Sequence, residues 1–155
     1  MIGGHALNMR GISRNTHDLD LMVRRADLGF WMKRLGSMGY AAFNQTSAFV
    51  QFKAPDITAW PIDLMLVDDS TFEKACASAT LEQYGEVQVL TASTLHLVAM
   101  KLHALKNEPA HRFKKDEGDL LGLLDLLHIS TGSEEFKQLC EKYGSLRIYE
   151  RLKKS

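Results

Sequence analysis

Gly3-Gly4-His5-Ala6-Leu7 and Thr16-His17-Asp18-Leu19-Asp20-Leu21 bound the segment whose reading decides the fold. It opens on two glycines and closes on two carboxylates one residue apart, set among apolar residues. Read as a strand over 18–23, it sends Asp18 and Asp20 to one face and Leu19, Leu21 and Val23 to the other, because side chains alternate with period two. The two acidic Cα atoms are then roughly 6.5–7 Å apart. Carboxylates at that spacing repel, and a divalent cation between them lowers the cost. Hard oxygen ligands suit Mg²⁺ or Mn²⁺. The glycines let a phosphate approach the backbone, and the short helix expected over 4–10 presents free N–H groups at its start. Phosphate binding beside a metal-binding carboxylate pair points to phosphoryl or nucleotidyl chemistry.

A third acid, Asp63, stands in the apolar run Ile62-Asp63-Leu64-Met65-Leu66-Val67. A lone buried charge costs several kcal/mol unless it is paired or bound to a metal. Placed beside the 18–23 strand, Asp63 completes a three-carboxylate site of the kind that activates an attacking oxygen and stabilises a leaving phosphate. The competing reading is a surface aspartate capping a turn.

Composition sets the bounds. The 155 residues suit a soluble globular chain, with 45% hydrophobic and 25% charged residues. Lys plus Arg equals Asp plus Glu at 19 each, so net charge draws the chain neither to nucleic acid nor to an anionic membrane. Cys76 and Cys140 match no metal-ligand spacing and read as reduced thiols of a cytoplasmic protein. No apolar run approaches the ~20 residues of a membrane span, and the N-terminus does not read as a signal peptide.

In chain order, the pattern predicts a helix over 26–38, with Leu28, Trp31, Met32 and Leu35 on its core face. A hairpin over 40–53 turns at 44–47. The strand 62–67 follows, then a helix capped by Asp69 or Ser70 and running to about Ala79, and a short strand at 87–90. The period then changes. A helix from Ser93 to Lys106 has Leu95, Val98, Leu102 and Leu105 on its core face. A basic loop is expected over 108–114, a second helix over 115–129, a third starting at Ser133, and a fourth from Ser145. The expected architecture is α+β with a mixed sheet in 1–92 and a helical subdomain in 93–155, packed as one unit.

Taken in this order, Gly3-Gly4-His5-Ala6, a polar loop with Arg14 and Thr16, Asp18-Leu19-Asp20, Asp63, Lys101 within Ala99-Met100-Lys101-Leu102, and Lys115-Asp116-Glu117-Gly118-Asp119 resemble the nucleotidyltransferase superfamily with the DNA polymerase β-like palm. Within it the pattern is most similar to the AbiEii-type toxin family of small bacterial proteins. The resemblance covers residues 2 to about 127. It implies a palm followed by a helical subdomain, with Mg²⁺ (or Mn²⁺) held by Asp18, Asp20 and Asp63. Asp63 also positions or deprotonates the acceptor. It implies a nucleoside triphosphate met by Gly3, Gly4, Arg14, Thr16 and Lys101, with Asp116, Asp119 and Lys115 in the last motif. The expected activity is transfer of a nucleoside monophosphate to an RNA end such as tRNA, a protein hydroxyl or a small molecule, in a toxin–antitoxin setting with an antitoxin partner. The alternative is a non-catalytic nucleotide-binding or antitoxin-like protein on the same fold.

Other readings stand beside these. Lys101 lies at the edge of an apolar stripe, from which it can snorkel to solvent. Asp116 and Asp119 share a helix face near an expected N-terminus, where the dipole favours acids. Arg10 is a second candidate phosphate contact, His5 and His17 flank the site, and His111-Arg112-Phe113-Lys114-Lys115 is a candidate acceptor grip. Only two residues precede the glycine pair, so the 18–23 strand is expected at an exposed sheet edge, which favours a homodimer.

Overall fold

The computed structural model describes residues 1–107 and 110–153, with side chains described outside 110–113. They fall into two compact units, Met1–Ala92 and Ser93–Ser155.

The first unit is built on a four-stranded mixed sheet of order β1-β4-β3-β2. Its strands are β1 (Leu19–Arg24), β2 (Ala41–Gln45), β3 (Phe49–Lys53) and β4 (Ile62–Val67). β1 runs parallel to β4, and the hairpin β2–β3 adds antiparallel to β4's other side. One face of β1, β3 and β4 is apolar, and that face forms the core: Val23, Val50, Phe52, Ile62, Leu64 and Leu66 are buried, while β2 is exposed along its whole length. Helix α2 (Leu28–Ser37) covers it with Leu28, Trp31, Met32 and Leu35. A turn of 3₁₀ helix over Arg25–Asp27 precedes α2, so the α-helix starts two residues later than its apolar period suggests. Period two then commits the alternate residues of each strand to the opposite, polar face.

Helix α1 (Gly3–Met9) precedes β1. The intervening loop is closed by Asn8, which donates to the Arg14 carbonyl at 2.9 Å and accepts from the Arg14 N–H at 2.6 Å. β1 lies at the sheet edge as expected, but the edge is met from within the chain, since the Ile2 N–H donates to the Asp20 carbonyl at 3.0 Å. Helix α3 (Asp69–Ala77) is capped by Asp68, not by Asp69 or Ser70; the Asp68 carboxylate accepts from the Thr71 N–H at 2.7 Å. The short strand expected at 87–90 is half of a hairpin, β5 (Thr80–Tyr84) with β6 (Val87–Thr91). Its two-residue turn needs Gly85 at φ 59°, a left-handed conformation open to glycine. Leu81, Val87 and Leu90 are exposed, which is why the first of these strands carried no clear burial alternation.

Arg10 belongs to this hairpin, not to a phosphate site. Its guanidinium meets the Glu82 carboxylate at 2.6 Å, the Thr80 hydroxyl at 2.7 Å and the Ala92 carbonyl at 3.0 Å. Hydrogen bonds from Thr80 and Arg10 hold the Glu82 carboxyl below its ordinary range.

The second unit holds α4 (Thr94–Asn107), α5 (Ala110–Leu126), α6 (Glu134–Tyr143) and α7 (Leu146–Leu152). Ser93 caps α4, accepting from the His96 N–H at 3.3 Å, and Ser133 caps α6, accepting from the Phe136 N–H at 3.1 Å. Among the described residues its buried apolar side chains are Leu97, Val98, Leu102, Leu105, Leu120, Leu123, Leu124, Ile129, Phe136, Cys140, Ile148 and Leu152. Burial pushes the Cys140 thiol up to about 12, so it is inert.

Two boundaries here differ from the sequence pattern. Leu95, expected on the core face of α4, is exposed and Leu97 is buried in its stead. Lys101, whose partners Asp116 and Asp119 lie on α5, borders that face about 120° round the helix from Leu95. Helix α5 starts at Ala110 instead of Lys115, so 110–114 is helical and not loop. It stops three residues early because His128 takes φ 57° and the Ile129 N–H turns back to the Leu124 carbonyl. The expected grip at His111, Arg112 and Phe113 lies outside the described side chains; Lys114 and Lys115 are exposed on α5.

Leu64 is fully buried on β4, one of the two interior strands, and its neighbour Asp63 points the opposite way. Leu64→Ala is expected to cost about 3 kcal/mol, read as a lower urea midpoint at unchanged slope.

Candidate active site

The parallel pairing of β1 with β4 sets Asp20 opposite Asp63, with Leu19 opposite Ile62 and Leu21 opposite Leu64. Partners in a parallel ladder point to the same side, so one register sends the leucines to the core and both carboxylates to the open face. Asp18 sits one residue before β1, in a bend and not in the strand. Its carboxylate still joins the other two: one oxygen from each of Asp18, Asp20 and Asp63 lies within 4.8 Å of the others. Among the described residues no other group of three His, Cys, Asp or Glu side chains comes so close.

Two of the three acids, Asp18 and Asp63, accept from a neutral donor. The Thr16 hydroxyl donates to Asp18 Oδ1 at 2.7 Å, so Thr16 positions a carboxylate. Gln51 on β3 donates its side-chain N–H to Asp63 Oδ2 at 2.7 Å. Like charges about 4 Å apart repel by roughly 4 kcal/mol at the effective dielectric of a protein surface. Neutral donors ease that repulsion in part and leave the charge in place for a cation. Hard oxygen donors this close, with no nitrogen or sulfur among them, fit Mg²⁺ or Mn²⁺.

The glycines acquire a specific role. Gly3 has φ 68°, and a Cβ built there would lie 1.9 Å from Asp20 Oδ2. A Cβ at Gly4 would lie 2.6 Å from the Thr16 hydroxyl oxygen. The start of α1 therefore packs directly on Asp20 and on the residue that holds Asp18. The absence of two side chains is what lets the carboxylates occupy that space.

His5 is buried beside this cluster. It stacks on Trp60 with ring centroids 4.3 Å apart, and its Nδ1 lies 2.8 Å from the Tyr84 hydroxyl. Burial pushes its pKa down, and the charge of Asp18 opposes that shift. Burial thus favours the neutral ring, and His5 serves as a packed support. His17 is exposed.

The remaining candidates gather in the second unit. Lys101 Nζ lies 2.5 Å from Asp116 Oδ1 and 2.7 Å from Asp119 Oδ2, and both aspartates are buried. With α5 starting at Ala110, these acids sit mid-helix, so the expected helix-dipole account does not apply. They are there as partners of a lysine, and Lys101 does not snorkel freely. Lys115 is exposed and stands outside the trio.

Sequence reasoning missed Gln51, Asn44 and the pair Trp60–Tyr84. The signal for Gln51 was present: Val50 and Phe52 flank it, so period two puts it on the face of Asp63.

The fold is nucleotidyltransferase-like. The chain is similar to the crystal structure of an antigenic nucleotidyltransferase-like protein from Paracoccidioides brasiliensis, at 14% identity and a TM-score of 0.53, over 81% of this chain and 66% of that one. It is also similar to lincosamide antibiotic adenylyltransferase LnuA in its lincomycin-bound form, at 13% identity and a TM-score of 0.55, over 80% and 84% of the two chains. The chain thus spans just under two thirds of the first of these structures. No protein-family model matches the sequence, and neither does any curated protein.

Gly3→Ala is expected to destabilise the protein by at least about 2 kcal/mol, from left-handed strain plus the clash with Asp20. Gly11→Ala, at φ 83° with nothing within 4 Å, supplies the strain alone. Guanidinium unfolding of both proteins checks that Gly3→Ala loses clearly more.

Proposed function

We propose that this chain is a metal-dependent nucleotidyltransferase that moves a nucleoside monophosphate from a triphosphate to an acceptor and releases pyrophosphate. The observation that carries the reading is the in-register pair Asp20–Asp63 with Asp18 beside it, over a helix start stripped of side chains. Asp18, Asp20 and Asp63 would hold Mg²⁺ or Mn²⁺. When bound, the metal supplies charge neutralisation at the triphosphate and at the leaving pyrophosphate. Asp63 is the acid we assign to the acceptor, positioning its hydroxyl and taking its proton. Gly3 and Gly4 let the start of α1 pack on Asp20 and on Thr16, which fixes Asp18, and we assign that helix start, with Arg14 on the following loop, to the triphosphate. Catalysis is then mainly positioning and electrostatics, as in other phosphoryl transfers.

For Lys101 to reach a phosphate, as the resemblance implies, one of its two aspartate partners would have to release it. We therefore read Lys101, Asp116 and Asp119 first as the frame of the helical unit. The adenylyltransferase to which the fold is similar was solved with lincomycin, a small molecule. This makes a small hydroxyl-bearing acceptor the first to test, ahead of a tRNA end or a protein hydroxyl. A toxin–antitoxin role with an antitoxin partner, membership of the AbiEii-type family and a homodimer in the cytoplasm belong to the same proposal. Among the described residues no helix is long and apolar enough to cross a membrane.

Incubation with each labelled NTP, Mg²⁺ and pools of small molecules, RNA and protein tests the reading. Mg²⁺-dependent labelling of one pool is expected, falling about a hundredfold or more in Asp18→Ala and Asp20→Ala. Labelling that survives both substitutions sinks the site. Binding of NTP without transfer to any pool favours the non-catalytic nucleotide-binding protein.

A further inference from the structure

The polar face of the sheet carries more than the three acids. Asp20, Asp63, Gln51 and Asn44 stand opposite one another across the four strands β1, β4, β3 and β2. Gln51 donates to Asp63 Oδ2 at 2.7 Å, and its carbonyl oxygen accepts from the Asn44 amide at 2.8 Å. The second bond decides the first. With Asn44 donating to Oε1, the N–H₂ end of the Gln51 amide is the end left for Asp63.

Asn44 reaches that place through an irregularity. Pairing of β2 with β3 runs Ala41↔Lys53 and Ala42↔Phe52, then shifts so that Asn44, not Phe43, stands opposite Gln51. Without the shift Phe43 would face Gln51 and the amide would lose its donor. Bulges of this kind re-aim a side chain, and they recur beside active sites. The choice of glutamine is equally specific. A lysine or arginine in its place would neutralise Asp63 and compete with a cation, whereas an amide fixes the carboxylate and leaves its charge intact.

We infer that Gln51, oriented by Asn44 across the β2–β3 bulge, is a positioning residue that sets the rotation of the Asp63 carboxylate for divalent-metal binding. The inference rests on the proposed metal site and adds a partner one layer out from the ligands. Such partners typically govern metal affinity by 10–100-fold.

The probe is Mn²⁺ alone, titrated into the full chain and read by the EPR signal of the free ion. Wild type is expected to bind, and Gln51→Leu to bind about 10–100-fold more weakly. Asp63→Asn is expected to bind weakly, and the double variant no more weakly than Asp63→Asn, because Gln51 acts only through Asp63. Asn44→Ala, at an exposed position that spares the fold, is expected to weaken Mn²⁺ severalfold in wild type and not at all in the Gln51→Leu background. Wild-type affinity in both Gln51→Leu and Asn44→Ala overturns the inference while the metal site stands. So does a double variant in which the losses of Gln51→Leu and Asp63→Asn add. Wild type that binds no Mn²⁺ overturns the metal site and this inference together.

Discussion

The site depends on one pairing, the parallel, in-register ladder between β1 and β4. That ladder alone places Asp20 against Asp63, though 42 positions separate them in the chain. It is specified by what lies beneath. Val23, Ile62, Leu64 and Leu66 are buried against α2, and a slip of one residue would turn them out and the carboxylates in. The energy that fixes the register is apolar burial on one face. The charges on the other face take their positions from it and do not contribute to it.

Charge crowding at such a site has to be tolerated before any ligand arrives. Two of the three acids have a neutral partner here: a hydroxyl on Asp18 and an amide on Asp63. The second unit follows the opposite rule, setting two buried carboxylates on one lysine. Removing either kind of partner has different consequences. A buried ion pair broken on one side leaves an uncompensated charge. A carboxylate stripped of an amide keeps its charge and loses its aim. This contrast separates the carboxylates we assign to metal from those we assign to architecture.

Much of this was legible in the sequence, because period two and apolar runs report burial directly. The strand 62–67, the hairpin over 40–53 and the capped helix from Ser133 stand where those signals put them. The convergence of Asp63 on the 18–20 pair followed once the two strands were neighbours. What escaped was decided by tertiary context. Strand β5 exposes Leu81 and lacks a strong alternation. The β2–β3 register shift that brings Asn44 to Gln51 leaves no mark in a single sequence. The core face of α4 takes in Leu97 and leaves Leu95 out, and Lys101 on the same helix finds its partners on another one. The glycines were legible as permissive positions, but their purpose, to make room for Asp20 and Thr16, is set by residues brought beside them only by the fold.

Thermal melting of wild type and Asp20→Asn, with and without Mg²⁺, tests the central claim most directly. If β1 and β4 crowd three ionised carboxylates into a cation site, metal-free Asp20→Asn melts higher than metal-free wild type, because one like-charge neighbour is gone. Mg²⁺ then raises the melting temperature of wild type and leaves the variant nearly unmoved. A variant that melts lower without metal, together with a wild type indifferent to Mg²⁺, contradicts the account.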